Sequence, residues 1–429
     1  MTTSTWTAHP DIAQSYRVRL AVLLPAIQLF YFILLWPLLY AQSGMTADLA
    51  TGPIAPTESF VLNKVFFPLI AGLSLLLLIS ERHRLQRFHL AGLFLVCALL
   101  VYLLMTASWS LAPSVTISKL ALLVMQGLGL LPAVLLARRI DSVLRPMFWL
   151  MALTLLANAV AVALLPPTPI GHAGIYAHKN TLGEIMVLTG FFALYGLGQG
   201  DRSLRLVGVL MVPVVLALLY MSQSKTSVGL FVLCPFLAAG VVCFRRYLRI
   251  AFPVLLGIGA IAGAFVLSGG LSGFSFHDLS VVITGDGTFT GRTELWGFAL
   301  NAIAERPMTG FGYQAFWGIG AESPASIMVD TFIGKTPHAH NGYIDLMLQG
   351  GMVALILFCL LLLMVAFRID REIDSKPATG FFLVSLFLYL VLQNLLETSW
   401  LQTLSATSLL TLLLVLAAAV HHQDGRGYP

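Results

Sequence analysis

The sequence predicts an all-α, polytopic integral membrane protein. Of its 429 residues, 58% are hydrophobic and only 10% are charged. Apolar runs of about 20 residues, long enough for a helix to cross the hydrocarbon core of a bilayer, recur along the chain. About twelve such runs are present, and each predicts one transmembrane helix. They cover residues 20–40, 62–80, 89–105, 115–137, 147–165, 181–199, 205–221, 226–243, 248–267, 343–367, 378–396 and 401–420.

The polar segments between these runs divide the chain into three parts. Residues 1–267 would hold nine transmembrane helices, residues 268–342 one large loop, and residues 343–429 three more helices and a tail. The first apolar run follows a polar leader, and no small-residue cleavage site follows the run. It is therefore expected to be a retained helix, with no removable signal peptide.

Lysine and arginine are concentrated on one side of the predicted topology. Short cytoplasmic loops collect these residues, and 17 of the 24 lie at alternate connections. Both termini are therefore predicted to be cytoplasmic, and residues 268–342 lie on the outer side. The net charge of +5 reflects this topology, and no basic block resembles a nucleic-acid-binding surface. The 17 are Arg17, Arg19, Arg82, Arg84, Arg87, Arg138, Arg139, Arg145, Arg202, Arg205, Arg245, Arg246, Arg249, Arg368, Arg371, Lys376 and Arg426.

The long outer loop is expected to carry function, because loops of this length inside a compact protein usually do. Its first part is rich in Gly, Ser and Thr and is predicted to be irregular. A helix is predicted from Arg292 to about Glu305, and the turn ERPMTGFGY then ends it. The apolar residues that recur at helical spacing are Leu295, Phe298, Ala299, Ala302 and Ile303. One face of this helix would lie on the membrane or on the protein.

Residues 335–351, KTPHAHNGYIDLMLQGG, gather polar side chains where the loop meets the next apolar run. Titratable groups are costly at membrane depth and usually face a cavity or a functional path. If a helix begins near Asn341, then Asn341 and Asp345 share one face, and His340 lies at the positive end of the helix dipole. His340 would then be a neutral base, and His338 would help to shape the site. Alternatively, Asn341 only caps the helix and both histidines are solvated.

Two further polar clusters lie on the same outer side. The first, HAGIYAHKNTLGE, places His178, Lys179 and Asn180 just before an apolar run. Alternatively, Lys179 reaches lipid headgroups and Asn180 caps the helix. The second, SQSKTS, is a turn so short that Lys225 must lie at the membrane surface, where it could also serve only to contact headgroups. Glu397, in NLLETSW, is a lone carboxylate in an outer turn and is either functional or simply solvated.

No metal or cofactor is expected. The four cysteines, at positions 97, 234, 243 and 359, lie in apolar runs without metal-ligand spacing. The sequence also contains no Asp-x-Asp pair.

Together, these motifs resemble the O-antigen ligase/polymerase family, and more narrowly bacterial exopolysaccharide polymerases of the succinoglycan type. The resemblance rests on the order and spacing of HKNTLG, SQSKTS, GRTELW, ERPMTGFGY and AHN followed by a helix with a GG pair. It covers residues 170–400 by motif and the remainder by the number of spans. Many family members have Arg where this chain has Lys225, and this departure favours a polymerase over a ligase.

The resemblance implies a GT-C-like, metal-independent glycosyltransferase of the bacterial inner membrane, with a periplasmic active site. Its donor and acceptor would be undecaprenyl-diphosphate-linked oligosaccharides. Lys225 and Arg292 match basic positions that hold the donor diphosphate, and His340 matches the histidine that acts on the acceptor hydroxyl. Arg306, His338, Asn341, His178, Lys179, Asn180 and Glu397 are the expected substrate-binding residues. A flippase, a chain-length regulator and membrane lipids are the expected partners.

The residues on the outer side also suit the reaction that the resemblance implies. A glycosyl diphosphate donor needs charge neutralisation of its leaving group, which basic residues can provide, and deprotonation of the incoming hydroxyl, which a neutral histidine can provide. Direct attack would invert the anomeric configuration, although Asp345 and Glu397 leave a covalent route open. Two alternatives are a ligase that transfers a finished glycan to lipid A core or another acceptor, and a twelve-helix transporter or flippase. A transporter would more naturally show internal repeats and ionisable residues near the bilayer midplane. In this sequence, the polar clusters lie at the outer ends of the predicted transmembrane helices.

Overall fold

The computed structural model describes residues 16–42, 61–85, 88–89, 92–137, 139–267, 292–328 and 331–422. Nearly all regular structure in these ranges is helical. The helices are α1 (Tyr16–Phe30), α2 (Trp36–Gln42), α3 (Val61–Ser80), α4 (Arg82–Leu85), α5 (Leu93–Met105), α6 (Pro113–Leu136), α7 (Ile140–Leu164), α8 (Lys179–Leu197), α9 (Arg202–Ser222), α10 (Lys225–Leu248), α11 (Phe252–Leu267), α12 (Arg292–Glu305), α13 (Phe332–Lys335), α14 (Gly342–Ser375), α15 (Pro377–Gln393) and α16 (Ala406–Ala419). A two-residue antiparallel strand pair joins Phe88–His89 to His421–His422.

Several sequence predictions fall outside the described residues. These concern most of the polar leader, the irregular first part of the long loop, the end of the C-terminal tail, and Arg87, Arg138 and Arg426.

The all-α, multi-span architecture is confirmed. Each of the twelve predicted spans overlaps an apolar helix. Eight of these helices are long and apolar enough to cross a membrane, and the first of them runs from α1 through a π-helical turn into α2. Helices α5, α11, α15 and α16 are shorter. The count of twelve crossings therefore stays a prediction.

The helices differ in how much of their surface is buried. In α8, 72% of an 18-residue apolar stretch is buried inside the protein, whereas in α10 the corresponding share is 22%. Helix α10 therefore presents an apolar face to the lipid, as a membrane-spanning helix at the edge of a bundle does. Polar side chains on α8 are instead enclosed by other helices.

Ion pairs join four helices at one end of the bundle. Lys376, just before α15, contacts Asp141 of α7. Arg245 of α10 contacts Asp370 and Asp374 of α14, with Nε–Oδ1 and Nη2–Oδ2 distances of 3.1 and 2.6 Å. These residues all lie in segments that the order of the spans assigns to one side of the membrane.

Helix α14 is interrupted at the GG pair. Gly351 has φ 63° and ψ −163°, outside helical geometry. The turn that follows α12 fits into the break, because Phe311 N–H donates to Leu348 O at 2.7 Å and Met352 N–H donates to Pro307 O at 2.8 Å. A Cβ on Gly351 would lie 2.2 Å from the backbone of this turn. Glycine is thus required there by both its positive φ and the close approach.

The predicted helix of the long loop is present as α12 and packs on the protein. Its buried residues are Leu295, Ala299, Ala302 and Ile303, four of the five apolar residues in the sequence pattern, and Phe298 is partly buried. This face packs in one cluster with Phe311 and Phe316, and with Leu348 of α14. The packing fixes the first residue of α12, Arg292, relative to α14.

Candidate functional site

A cavity of about 340 Å³ lies where α8, α10 and α14 begin, α15 ends and α16 begins. It collects residues that are far apart in the sequence. Five of the ten residues singled out above line it, namely His178, Asn180, His338, His340 and Glu397.

The centre of the site is the Glu397 carboxylate. Its Oε1 accepts from Arg292 Nη2 at 2.9 Å, and its Oε2 lies 2.9 Å from His340 Nδ1. The Arg292 side chain is only 13% exposed and that of Glu397 23%, so water screens this ion pair less than it would a surface pair. Burial by itself raises the pKa of Glu397, but the hydrogen bond with His340 and the charge of Arg292 outweigh it and hold the pKa below its usual range. Glu397 is therefore ionised at neutral pH.

The carboxylate sets the tautomer of His340. An ionised carboxylate can only accept a hydrogen bond, so Nδ1 of His340 carries a proton and donates it. Nε2 of the neutral ring then keeps a lone pair that can take a proton from a bound molecule. His340 itself has a positive φ of 50°, which is uncommon for a residue with a side chain. The sequence pointed to the helix dipole, whereas the structure supplies a direct carboxylate partner.

His338 supports His340. Its Nδ1 accepts from His340 N–H at 3.3 Å, and the two ring centres are 4.3 Å apart. Burial lowers the pKa of His338 to about 4, and the nearby His340 and Arg292 add to the shift while Glu397 opposes it. His338 therefore stays neutral at physiological pH and can keep accepting from the backbone.

Asn341 serves as a helix cap, which was the simpler of the two sequence interpretations. Its Oδ1 accepts from the N–H groups of Tyr343 and Ile344 at 3.0 and 3.1 Å, and its Nδ2 donates to Leu395 O at 3.1 Å. Its side chain does not line the cavity. The expectation that Asn341 binds substrate stays a prediction.

Asp345 holds the segment that precedes α14 in place. It is 1% exposed. Its carboxylate accepts from Trp317 Nε1 at 2.7 Å, from Ala339 N–H at 2.9 Å and from the Thr398 hydroxyl. These donors come from the long loop, the segment before α14 and the turn after α15. Asp345 therefore lies behind the cavity wall, and it does not line the cavity.

In the cluster before α8, the helix cap differs from the one that the alternative interpretation named. His178, and not Asn180, caps α8, because His178 Nδ1 accepts from Asn180 N–H at 3.2 Å. Burial lowers the pKa of His178, with smaller contributions from Lys179 and His340 that Glu397 opposes. Both His178 and Asn180 line the cavity. Lys179 does not, and its Nζ donates to Gln223 O at 3.3 Å.

Lys225 is the first residue of α10, and its side chain is exposed. The hydroxyl residues beside it, Ser224, Thr226 and Ser227, face the cavity instead. Gly183 permits this arrangement, since a Cβ there would lie 2.5 Å from Ser227 Oγ. The glycine in the motif HKNTLGE thus lets α8 approach the start of α10 closely.

Arg306 does not reach the cavity. Its Nη1 donates to Trp109 O at 3.4 Å, and its guanidinium lies 5.0 Å from the ring centre of Phe311. It therefore attaches the turn after α12 to the segment before α6, and its role in substrate binding stays a prediction.

The sequence did not single out several polar residues of the cavity wall, among them Tyr389, Gln393 and Ser405. The available signal was their position inside or beside apolar runs, where polar groups usually face a cavity or a partner. Among the residues that the structure describes, no group of three or more His, Cys, Asp or Glu could hold a metal ion.

Comparison with known proteins agrees with the arrangement of motifs. Residues 209–359 match the O-antigen ligase family. The chain is also 30% identical over 216 residues to the exopolysaccharide production protein ExoQ of Rhizobium meliloti (strain 1021). That match covers 47% of this chain and 48% of the relative, so the chain spans about half the length of the relative it matches. The resemblance to the O-antigen ligase/polymerase family, in its ExoQ-like form, is confirmed.

Replacing Asp345 with Asn should destabilise the protein. The Asn amide presents NH₂ where the carboxylate accepts, so at least one of the three donors loses its partner. We expect the free energy of unfolding to fall by about 1–3 kcal/mol, measured by unfolding of the purified protein in detergent. Glu305→Gln, at the exposed end of α12, is the control and should change it by less than about 0.5 kcal/mol. Equal stability of the two variants would contradict the organising role of Asp345.

Proposed function

We propose that this protein is a glycosyltransferase that polymerises undecaprenyl-diphosphate-linked oligosaccharide repeat units into an exopolysaccharide. The observation that carries the proposal is the Arg292–Glu397–His340 arrangement at the cavity. It combines a cation, a proton acceptor and a carboxylate that orients both. The family match and the exopolysaccharide-related relative support the same class of reaction.

The geometry suits deprotonation of an acceptor hydroxyl by His340. Nε2 takes the proton while Glu397 holds the opposite side of the ring, and a charged imidazole that forms next to a carboxylate is stabilised. The hydroxyl oxygen then attacks the anomeric carbon, and the bond from that carbon to the diphosphate breaks. Because attack and departure take place on opposite faces, the configuration inverts. Glu397 is engaged by both Arg292 and His340, which makes it a positioning residue and a poor nucleophile.

The leaving diphosphate carries negative charge that cations can stabilise. Arg292 has five N–H donors, so it can contact a phosphate while Nη2 remains on Glu397. Lys225, exposed at the start of α10 beside the cavity hydroxyls, is suited to a second contact with the diphosphate. These contacts would neutralise charge without a metal.

A ligase of the same family is the second candidate, and the description of the matching family favours it. The acceptor separates the two activities. A polymerase lengthens the glycans of lipid-linked repeat units supplied alone, whereas a ligase needs lipid A core or another acceptor. A transporter fits less well, because the cavity forms at helix ends and not at the middle of the helices.

The site should face the periplasm, with both termini in the cytoplasm. The distribution of basic residues supports this orientation. A phosphatase fused within residues 268–291 should be active, and one fused at the C-terminus should be inactive. The reverse pattern would contradict the orientation.

His340→Ala should lower the rate of polymerisation by on the order of 10²–10⁴, the usual contribution of a positioned acid–base group. His338→Ala, which removes support but not the base, should lower it less. The assay uses purified protein and lipid-linked repeat units, with and without EDTA, and chelation should leave every rate unchanged. An inactive His338→Ala beside an active His340→Ala would show that the base is misassigned, and inhibition by EDTA would contradict the metal-independent mechanism.

Arg292→Ala and Lys225→Ala should each abolish or severely reduce polymer formation at equal protein level, because each removes a cation from the proposed diphosphate site. Arg292→Lys should restore activity only in part, since Lys cannot contact Glu397 and a phosphate with a planar fork of donors. Arg306→Ala is the matched control at the other end of α12 and should retain more activity than Arg292→Ala. Near-normal polymer formation by both Arg292→Ala and Lys225→Ala would show that these residues only contact lipid headgroups.

A further inference from the structure

One wall of the cavity contains a carboxyl group that the mechanism above does not use. Glu184 lies inside α8, is partly buried and lines the cavity. Its Oε1 accepts from the Thr407 hydroxyl at 3.0 Å. No salt bridge to Glu184 is present within the described part of the chain. A carboxylate without a basic partner in a helix of membrane-spanning length is costly, and such groups usually face a functional cavity.

Gln393, at the end of α15, lies beside Glu184. It also lines the cavity, it is 3% exposed, and its side chain lies close enough to interact with the Glu184 carboxyl group. Its Oε1 has no hydrogen-bond partner among the described residues. A buried carbonyl oxygen that lacks a donor is unfavourable, and a hydroxyl group of a bound molecule would supply that donor. The cavity wall thus offers two adjacent groups that accept hydrogen bonds.

The other residues of this wall are neutral. Ser224 and Ser227 are 2.9 Å apart through their hydroxyl oxygens, and Ser405 lies at the start of α16. Hydroxyl groups both donate and accept hydrogen bonds. Neither Lys225 nor Arg292 belongs to the cavity lining. This wall therefore suits a neutral ring that bears several hydroxyl groups, and it offers no lysine or arginine to bind a diphosphate.

We propose that Glu184 and Gln393 form a subsite that binds the hydroxyl groups of the acceptor sugar and so determines which sugar is accepted. This inference rests on the proposed polymerase function. The acceptor is the better occupant because its reacting sugar lies far from its own diphosphate, whereas the reacting sugar of the donor is attached to one. A ring on this wall would share the cavity with His340, which removes the proton from the attacking hydroxyl.

The test uses the oligosaccharide released by mild acid from the lipid-linked repeat units of a strain that lacks this protein. This probe carries the sugars without the lipid diphosphate. We expect it to bind the purified wild-type protein in calorimetric titrations at millimolar concentration. Glu184→Gln, which keeps the side-chain shape, and Gln393→Ala should each raise its Kd by about tenfold, as expected for the loss of one or two hydrogen bonds.

Gln126→Ala is the matched control. Gln126 is also buried, at 2% exposure, and its Nε2 also lacks a partner among the described residues. It lies in α6, away from the cavity, so its replacement should leave the Kd unchanged. Unfolding midpoints of all variants show whether each protein is folded. If Gln393→Ala does not fold, Glu184→Gln still tests the subsite.

In polymerisation assays with lipid-linked repeat units, Glu184→Gln should raise KM while kcat changes little. His340→Ala should instead lower kcat. The subsite is contradicted if the wild-type protein fails to bind the released oligosaccharide, or if Kd and KM are unchanged in both variants. If the wild-type protein makes no polymer but binds the oligosaccharide through Glu184, the proposed function fails and the sugar subsite stands.

Discussion

The ion pair and hydrogen bond of Glu397 are the interactions on which the arrangement of the site depends. They join Arg292 at the start of the loop helix and His340 before α14 to the turn after α15. These three positions are far apart in the sequence, and each lies on a separate element. Because the carboxylate is largely buried and its pKa is lowered, the connection holds throughout the neutral pH range. One side chain therefore sets the orientation of the His340 ring and the position of the Arg292 guanidinium.

The break in α14 makes this arrangement possible within a membrane protein. Backbone groups that leave a helix at membrane depth need partners from the protein itself. The turn after α12 supplies them at Leu348 and Met352. The same turn fixes α12 against α14, and Arg292 at the beginning of α12 is thereby brought to Glu397. Asp345 completes the support by fixing the segment that carries His338 and His340.

The cavity combines two different chemical environments. One consists of histidines and of Glu397, which is paired with Arg292, and it suits the proposed proton transfer beside a charged leaving group. The other consists of neutral hydroxyl groups with Glu184 and Gln393, and it suits a sugar ring. In the proposed mechanism the sugar lies in the cavity, whereas Arg292 and Lys225, which do not line it, contact the diphosphate. Low exposure of Gln393, Ser224 and Ser227 strengthens hydrogen bonds to a bound sugar, because water competes less there.

The sequence by itself determined the membrane class, the position of each apolar helix, the loop helix and the concentration of polar residues in the His338–His340 segment. These features follow from local composition and periodicity, which one chain segment carries alone. Tertiary structure decided the roles of individual polar residues. Glu397 became central, whereas Asn341, Lys179 and Arg306 proved to contact the protein's own backbone. A polar side chain has the same local signal whether it faces a cavity, a helix end or a carbonyl group, and only the packing of distant helices separates these cases.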